Sequence, residues 1–355
     1  MGSPAAGEVV VEWRAAGLCH SDENLRSGER VDPARDPSLY PLLGGHEGAG
    51  VVAEVGAGVT TVRPGDRVAA SFSPVCGRCR YCASGRGSLC NGNKDFMVRG
   101  QLVDGAHRHH LDGEPLFLMA KLGTFSERAV VAERSLLKID DDVPFEAAAL
   151  ITCGATTGWG SAVERGETRP GDVVVVVGCG GLGTSAVQGA RIAGAREIIA
   201  VEPLSLRRDG AKRFGATRTV SSIDEARPIV AELTDGQGAD RVILTPTVVT
   251  PEILHDGLDI TGKDSILVVT GMGPLGEVPV PLDIAGLVLF NKQIRGCLFG
   301  SMDPRTAVPR LLALYKSGLL DLDGMITRYP LSEINTALAD QNAGRNVRGV
   351  VTMGG

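Results

Sequence analysis

The sequence predicts an α/β protein in two parts, a β-rich, barrel-like domain and a doubly wound parallel sheet. Three observations predict it. Residues before 145 read as short strands between Gly- and Pro-rich turns. From Val173 onward, apolar strands alternate with helices. A G-x-G-x-x-G sits where the first of those strands meets a helix. At 355 residues the chain is long for one core, so two domains are expected.

The strands of the first part are "GEVVVEWRAAG", "GAGVVAEVG" and "DRVAASF", each bounded by glycine or Pro-Gly punctuation. Little helical periodicity precedes residue 145. The run Val173–Val177 is apolar throughout, as a strand covered on both faces must be. After it the pattern predicts a helix from Thr184, a strand over "EIIAVE", a helix over "RRDGAKRFGA", and strands over "ADRVILT" and "SILVVTG". The tail reads helix, helix, strand and is expected to return to the first domain.

Composition narrows the function classes. A hydrophobic fraction of 43% and a charged fraction of 22% describe a folded globular chain. The net charge of -6 argues against nucleic acid or an anionic membrane as main partner, which leaves small molecules. The start shows no basic segment followed by an apolar run, and no stretch approaches the roughly 20 apolar residues of a membrane helix. A cytoplasmic location is therefore expected.

Cys76, Cys79, Cys82 and Cys90 follow C-x2-C-x2-C-x7-C inside "SPVCGRCRYCASGRGSLC". Four thiolates so spaced can wrap one zinc ion in a closed tetrahedral shell, which is a structural site. The alternative, two disulfides, requires an oxidising compartment of which the chain gives no sign.

Gly178, Gly180 and Gly183 form the G-x-G-x-x-G between strand and helix. The first suits a tight turn, the second close approach to a pyrophosphate, and the third helix–strand packing. The helix start, including Gly181 and Leu182, then offers free N–H groups to phosphate. Glu202 ends the next strand, where a carboxylate accepts from the adenosine ribose and repels a 2′-phosphate. NAD is expected over NADP, although Arg207 and Arg208 nearby leave NADP open.

Cys19 in "GLCHSD", His46 in "GGHEGAG" and Cys153 in "TCGATTGWG" offer two thiolates and an imidazole. Three ligands leave a tetrahedral zinc one open position, as a catalytic site needs. Spacing alone does not separate this from two inert buried cysteines.

The chain resembles the zinc-dependent medium-chain alcohol dehydrogenases. The four-cysteine lobe carries that likeness, with "GHEGAGVV" and its downstream "GD.V", and with "CGATTGWG" before the glycine motif. "GTFSERAVV", "GWGSAVERGETRPGDVVVVVG", "GEVPVPLD", "KQIRGCLFGS" and "AGRNVRGV" are most similar to the actinobacterial nitroso-acceptor-dependent members, nicotinoproteins whose NAD stays bound. The resemblance implies a GroES-like catalytic domain, residues 1–154 and 298–355, with the zinc lobe at 76–90. It implies a Rossmann domain at 155–297. It further implies two zinc ions per chain, NAD(H), an alcohol or aldehyde substrate, and a homodimer or homotetramer joined through the cofactor-domain sheets.

Carried over residue by residue, Cys19, His46 and Cys153 would hold the catalytic zinc, with Glu47 close to it. Asp22 would hydrogen-bond the free nitrogen of His46. Ser21 would accept the substrate's hydroxyl proton. His20 and Arg348 would lie on the cofactor pyrophosphate, and Thr157 beside the nicotinamide. Zinc in such a site polarises the substrate oxygen for hydride transfer.

Two departures stand out. Family members carry a relay histidine five residues after the first ligand; here that position is Asn24, which cannot take up a proton near neutral pH. A segment of strands that precedes "GEVVV" in the family is not matched, which implies an unpaired sheet edge. The changed relay motivates an alternative duty, a tailoring carbonyl reductase or a dehydrogenase of thiol–aldehyde adducts. A non-catalytic sensor on this scaffold would require damaged ligands. His107, His109 and His110 in "DGAHRHHLDGE" are read as a solvated loop, His255 as surface, Trp13 and Trp159 as packing, and Cys179 and Cys297 as small buried residues.

Overall fold

Buried Val9, Val10, Val11 and Trp13 open the first long strand, β1 (Glu8–Gly17). The computed structural model describes residues 1–28, 40–93, 105–273 and 278–354. After β1 come α1 (His20–Arg26), β2 (Glu47–Val55), β3 (Arg67–Ala70), α2 (Arg80–Ala83), β4 (Arg128–Ala132), β5 (Leu136–Lys138), α3 (Phe145–Ile151) and α4 (Gly154–Gly160). Then follow β6 (Val173–Val177), α5 (Gly181–Ile192), β7 (Glu197–Val201), α6 (Ser205–Arg213), β8 (Arg218–Val220), α7 (Ile223–Leu233), β9 (Ala239–Leu244), α8 (Pro251–Ile260), β10 (Thr261–Val269), α9 (Ile284–Leu289) and β11 (Gln293–Gly296). The tail supplies α10 (Pro304–Lys316), β12 (Ile326–Pro330), α11 (Ile334–Asn342) and β13 (Arg348–Thr352). These elements form two compact units, Met1–Cys153 with Met302–Gly355, and Gly154–Ser301.

In the first unit the sheet runs β12-β13-β1-β2-β3-β5, with β4 also on β1. β1 pairs antiparallel with β2 along most of its length, and its other edge is shared. Glu8–Glu12 face β4, whereas Ala15–Gly17 face β13. The irregularity between Trp13 and Ala15 bends the strand from one partner to the other, as a bulge does. As a result Gly17 lies opposite Glu47, and the chain leaves β1 straight into Cys19.

Among the described strands β4 pairs with β1 alone, and its outer edge is covered differently. The Val130 N–H donates to Nε2 of His109 at 3.2 Å. Arg108 beside it forms a two-pronged ion pair with Glu8, and its carbonyl accepts from Gly2. The expected solvated loop is thus corrected at His109, which is buried because its ring satisfies a strand N–H that no neighbouring strand takes.

Burial, then repulsion from the terminal ammonium and His110, lowers the His109 pKa from 6.5 to about 4. The unfolded chain therefore binds this proton first, and stability falls as pH drops from about 6.5 toward 4. We expect wild type to lose about 1 kcal/mol more than His109→Gln between about pH 6.5 and 5. Urea midpoints of the two proteins at both pH values measure this; parallel curves would refute it.

The second unit is a six-stranded parallel sheet in the order β8-β7-β6-β9-β10-β11. The strand order reverses at β6, the switch point where such sheets bind ligands beyond their carboxyl ends. All five valines of β6 are buried, and they alternate between two cores. Val173, Val175 and Val177 pack with Ala226 and Val230 of α7 and Leu258 of α8. Val174 and Val176 pack with Ala186, Val187 and Ala190 of α5 and Ala211 of α6. Each buried valine contributes roughly 1.5 kcal/mol or more, so this strand anchors the unit. α1, α7 and β12 were not legible in the pattern, the helix expected around His255 is α8, and α5 begins at Gly181 rather than Thr184.

Candidate active site

The Gly17–Glu47 register sets the end of β1 beside the start of β2, where Cys19 and His46 meet. Cys153 joins them from the turn that follows α3. The ligand atoms of Cys19, His46, Glu47 and Cys153 all lie within 4.8 Å of one another, and all four residues are buried. Two sulfurs and an imidazole nitrogen are the borderline-soft donors that suit zinc.

Asp22 organises the set. It occupies the third position of α1, whose N-cap is Cys19. Its Oδ2 accepts the Cys19 N–H at 3.1 Å, and its Oδ1 accepts the Gly45 N–H at 2.9 Å. Oδ1 also lies 3.2 Å from Nδ1 of His46, which leaves Nε2 of that ring for a metal. A hydrogen bond from Cys153 pulls the Cys19 pKa well below the ordinary thiol range despite burial, with help from His46. The Cys153 thiol is raised in turn by that same bond and by burial. Burial opposes charge on His46, yet Asp22 and Cys19 hold its pKa well above normal.

Glu47 sits at the floor of the set. Its Oε2 is paired with Nη2 of Arg348, while Glu47 Oε1 and Arg348 Nε have no hydrogen-bond partner among the described residues. Burial raises the Glu47 carboxyl to about 7 against the pull of Arg348. A Cβ at Gly17 would overlap the Glu47 carboxylate, so only glycine leaves room for this pair. The expected phosphate contact Arg348 therefore spends one nitrogen on Glu47.

The rest of α1 lies alongside. Ser21 is half-buried in its first turn, and Asn24 is buried on its inner side. Gln341 of α11 donates to Nδ1 of His20 at 3.1 Å, and Asn342 donates to Glu23 at 2.8 Å. No local pattern signalled these two carboxamides, because they reach α1 from the far end of the chain.

The four-cysteine lobe gathers as its spacing predicts. The sulfurs of Cys76, Cys79, Cys82 and Cys90 lie within 4.8 Å of one another. Cys76 and Cys82 are 3.9 Å apart, Cys79 and Cys82 3.5 Å. With Zn–S bonds near 2.3 Å, the edge of a tetrahedron is about 3.8 Å, so the sulfurs fit one ion. All eight cysteines are free thiols, so the lobe contains no disulfide. Backbone N–H groups of Cys82 and Asn91 lower Cys79 to about 6, which favours the thiolate a metal requires. Among the described residues no third such cluster occurs, and the histidine tract forms none.

The glycine turn of the second unit has the shape a dinucleotide needs. Gly178 has φ +87, and a Cβ there would meet the Pro246 backbone. Gly180 opens onto free space at the N-cap of α5, and a Cβ at Gly183 would strike the Gly178 carbonyl. α5 has no side-chain cap, so the first-turn N–H groups, including those of Gly181 and Leu182, keep no helical partner. Glu202 is buried after β7, its carboxylate accepting from the Cys179 N–H at 2.8 Å and the Leu204 N–H at 3.1 Å. Arg208 donates to the carbonyls of Glu202 and Pro203, and Arg207 is half-buried on α6. Thr157 is buried in α4. Trp13 and Trp159 are core residues and Cys179 is fully buried; Cys297 is only half-buried, which corrects the expectation for it.

Residues 5–141 match the family of alcohol dehydrogenase GroES-like domains, and residues 181–317 match the zinc-binding dehydrogenases. The chain is 45% identical over 349 residues to the NDMA-dependent alcohol dehydrogenase of Amycolatopsis methanolica, covering 98% of this chain and 92% of that one. The chain belongs to the zinc-dependent medium-chain alcohol dehydrogenases. Alcohol dehydrogenase B of Mycobacterium tuberculosis is 43% identical over 352 residues, covering 99% and 92% of the two chains. Among solved structures, benzyl alcohol dehydrogenase from Acinetobacter calcoaceticus superposes with a TM-score of 0.89 at 30% identity, covering 99% and 93%.

As a zinc-dependent alcohol dehydrogenase, the protein is an oxidoreductase that moves hydride between a small alcohol or aldehyde and a nicotinamide cofactor. Its architecture, a GroES-like domain and a Rossmann-type sheet, is the family's. No described helix is long and apolar enough to cross a membrane.

Proposed function

We propose that the enzyme oxidises primary alcohols, or reduces aldehydes, with two zinc ions per chain and a firmly held NAD. The observation that carries this reading is the buried set Cys19, His46 and Cys153, with Asp22 fixing the ring of His46. Zinc held by those three residues would supply a Lewis acid with one open position for the substrate oxygen. Cys76, Cys79, Cys82 and Cys90 would hold the second, structural ion.

The chain's own residues then do the rest. Ser21 accepts the substrate's hydroxyl proton. Asn24 cannot take it up, so its onward passage falls to water. Glu47, paired with Arg348, would lie beside the metal as a buried carboxylate. Gly178, Gly180 and Gly183 with the start of α5 would hold the pyrophosphate and Thr157 the nicotinamide, and His20 and Arg348 are assigned to the cofactor phosphates. Glu202, clamped by two backbone N–H groups, takes the ribose hydroxyls, and Arg208 is tied to carbonyls; both favour NAD over NADP.

The NDMA dependence of the Amycolatopsis relative supports a cofactor reset by a second substrate, a nitroso acceptor, instead of by exchange. Thiolate ligand sets suit a reducing compartment, so we assign the enzyme to the cytoplasm. β11 is a sheet edge, and Ile294 on it with Ile284, Val288 and Leu289 on α9 are exposed. That apolar edge favours a homo-oligomer built by pairing β11 with its copy.

One preparation tests the reading. Metal analysis is expected to give two zinc ions per chain. Light scattering is expected to give at least twice the chain mass. The desalted protein is expected to show the reduced-nicotinamide absorbance band after alcohol is added, without added NAD. A cofactor-free preparation that turns over only with added NAD would overturn the bound-cofactor part.

A further inference from the structure

We infer that Gln341 is a positioning residue that sets which nitrogen of His20 carries the ring hydrogen. The inference deepens the reading above and rests on its assignment of His20 to the cofactor phosphates. His20 follows the ligand Cys19 directly and begins α1. Gln341, buried near the end of α11, brings its side-chain N–H to 3.1 Å from Nδ1 of that ring. An amide nitrogen can only donate, so Nδ1 must be the acceptor and the ring hydrogen must sit on Nε2. A neutral imidazole in that form presents one N–H, and an anionic oxygen needs an N–H and not a lone pair.

The neighbouring carboxamide makes the arrangement firm. Asn342 donates to Glu23 Oε1 at 2.8 Å, one turn along α1 from His20. Glu23 is held in turn by Arg26. Two adjacent amides of α11 thus grip two successive turns of the helix that carries Cys19, Ser21 and Asp22. Of the two bonds only that of Gln341 touches a group assigned to the cofactor. The two roles are therefore separable: Asn342 docks the helices, and Gln341 sets the tautomer.

The test uses the zinc-loaded enzyme with NADH bound. Release is followed by the fall in bound-NADH fluorescence when excess NAD is added. Gln341→Met, which keeps the length and burial of the side chain, is expected to release NADH about three- to tenfold faster, the size of one hydrogen bond. Asn342→Ala is expected to leave release unchanged; equal acceleration in both variants would mean helix docking alone and would overturn the assignment. His20→Ala should release faster than either. Unchanged release in His20→Ala would overturn the phosphate contact itself, whereas an effect of His20→Ala with none from Gln341→Met would overturn only the role of Gln341. Ring-nitrogen NMR of isotope-labelled histidine in the wild type needs no variant. It must show hydrogen on Nε2 of His20, and hydrogen on Nδ1 alone would overturn the inference.

Discussion

Cys153→Ser is expected to lower the zinc content from two ions per chain to one and to cut turnover by on the order of 10³-fold or more. The argument starts from the ligand atom. A serine hydroxyl does not ionise near neutral pH, so the buried set would keep the Cys19 sulfur and the His46 nitrogen, with the Glu47 carboxylate already paired to Arg348. Two donors do not hold zinc against water and buffer. The Lewis acidity that the ion supplies is worth several kcal/mol of transition-state stabilisation, and each 1.36 kcal/mol is a factor of ten. The four-cysteine lobe is a separate cluster and should keep its own ion. Metal analysis and turnover on one alcohol measure both quantities. Normal turnover with one ion per chain would remove Cys153 from the reaction.

Cys90→Ser is expected to act on stability instead. The core of the lobe consists of Val75, Cys82 and Cys90 with Cys76 and Cys79 packed on them, so its interior is mostly sulfur. The Cys90 sulfur accepts N–H groups from Cys76 and Gly92 and would complete the proposed shell. Without a fourth thiolate the ion leaves, and little apolar area remains to hold the segment folded. Loss of a structural metal belongs among the largest single-site effects, above roughly 4 kcal/mol. We expect a lower thermal midpoint, greater aggregation and one zinc per chain, with turnover per catalytic zinc in the soluble fraction near normal. An unchanged midpoint and two retained ions would show that the lobe does not depend on its shell.

The sequence made some features legible and hid others, for physical reasons. The lobe was legible because its four ligands are neighbours and ring closure within one short segment fixes their spacing. The glycine turn was legible because each glycine answers a local steric demand, at Gly178, Gly180 and Gly183. Val173–Val177 announced a strand covered on both faces, and the two cores bear that out. The Cys19–His46–Cys153 set was not legible from spacing, since the register of β1 on β2 and the end of α3 bring it together. It came from resemblance alone. His109 was misread because a polar ring usually lies in solvent, and nothing local reveals that a strand edge needs an acceptor. Gln341 and the Glu47–Arg348 pair escaped notice for the same reason. Their partners are near only after the tail has returned to the first unit.

Asp22 has a consequence for how the enzyme acquires its metal. Its carboxylate joins the Cys19 N–H, the Gly45 N–H and the His46 ring, and none of those bonds involves an ion. Those bonds order Cys19 and His46 from the protein's own side. We expect metal entry here to need less coupled ordering than in the lobe, whose interior is mostly sulfur.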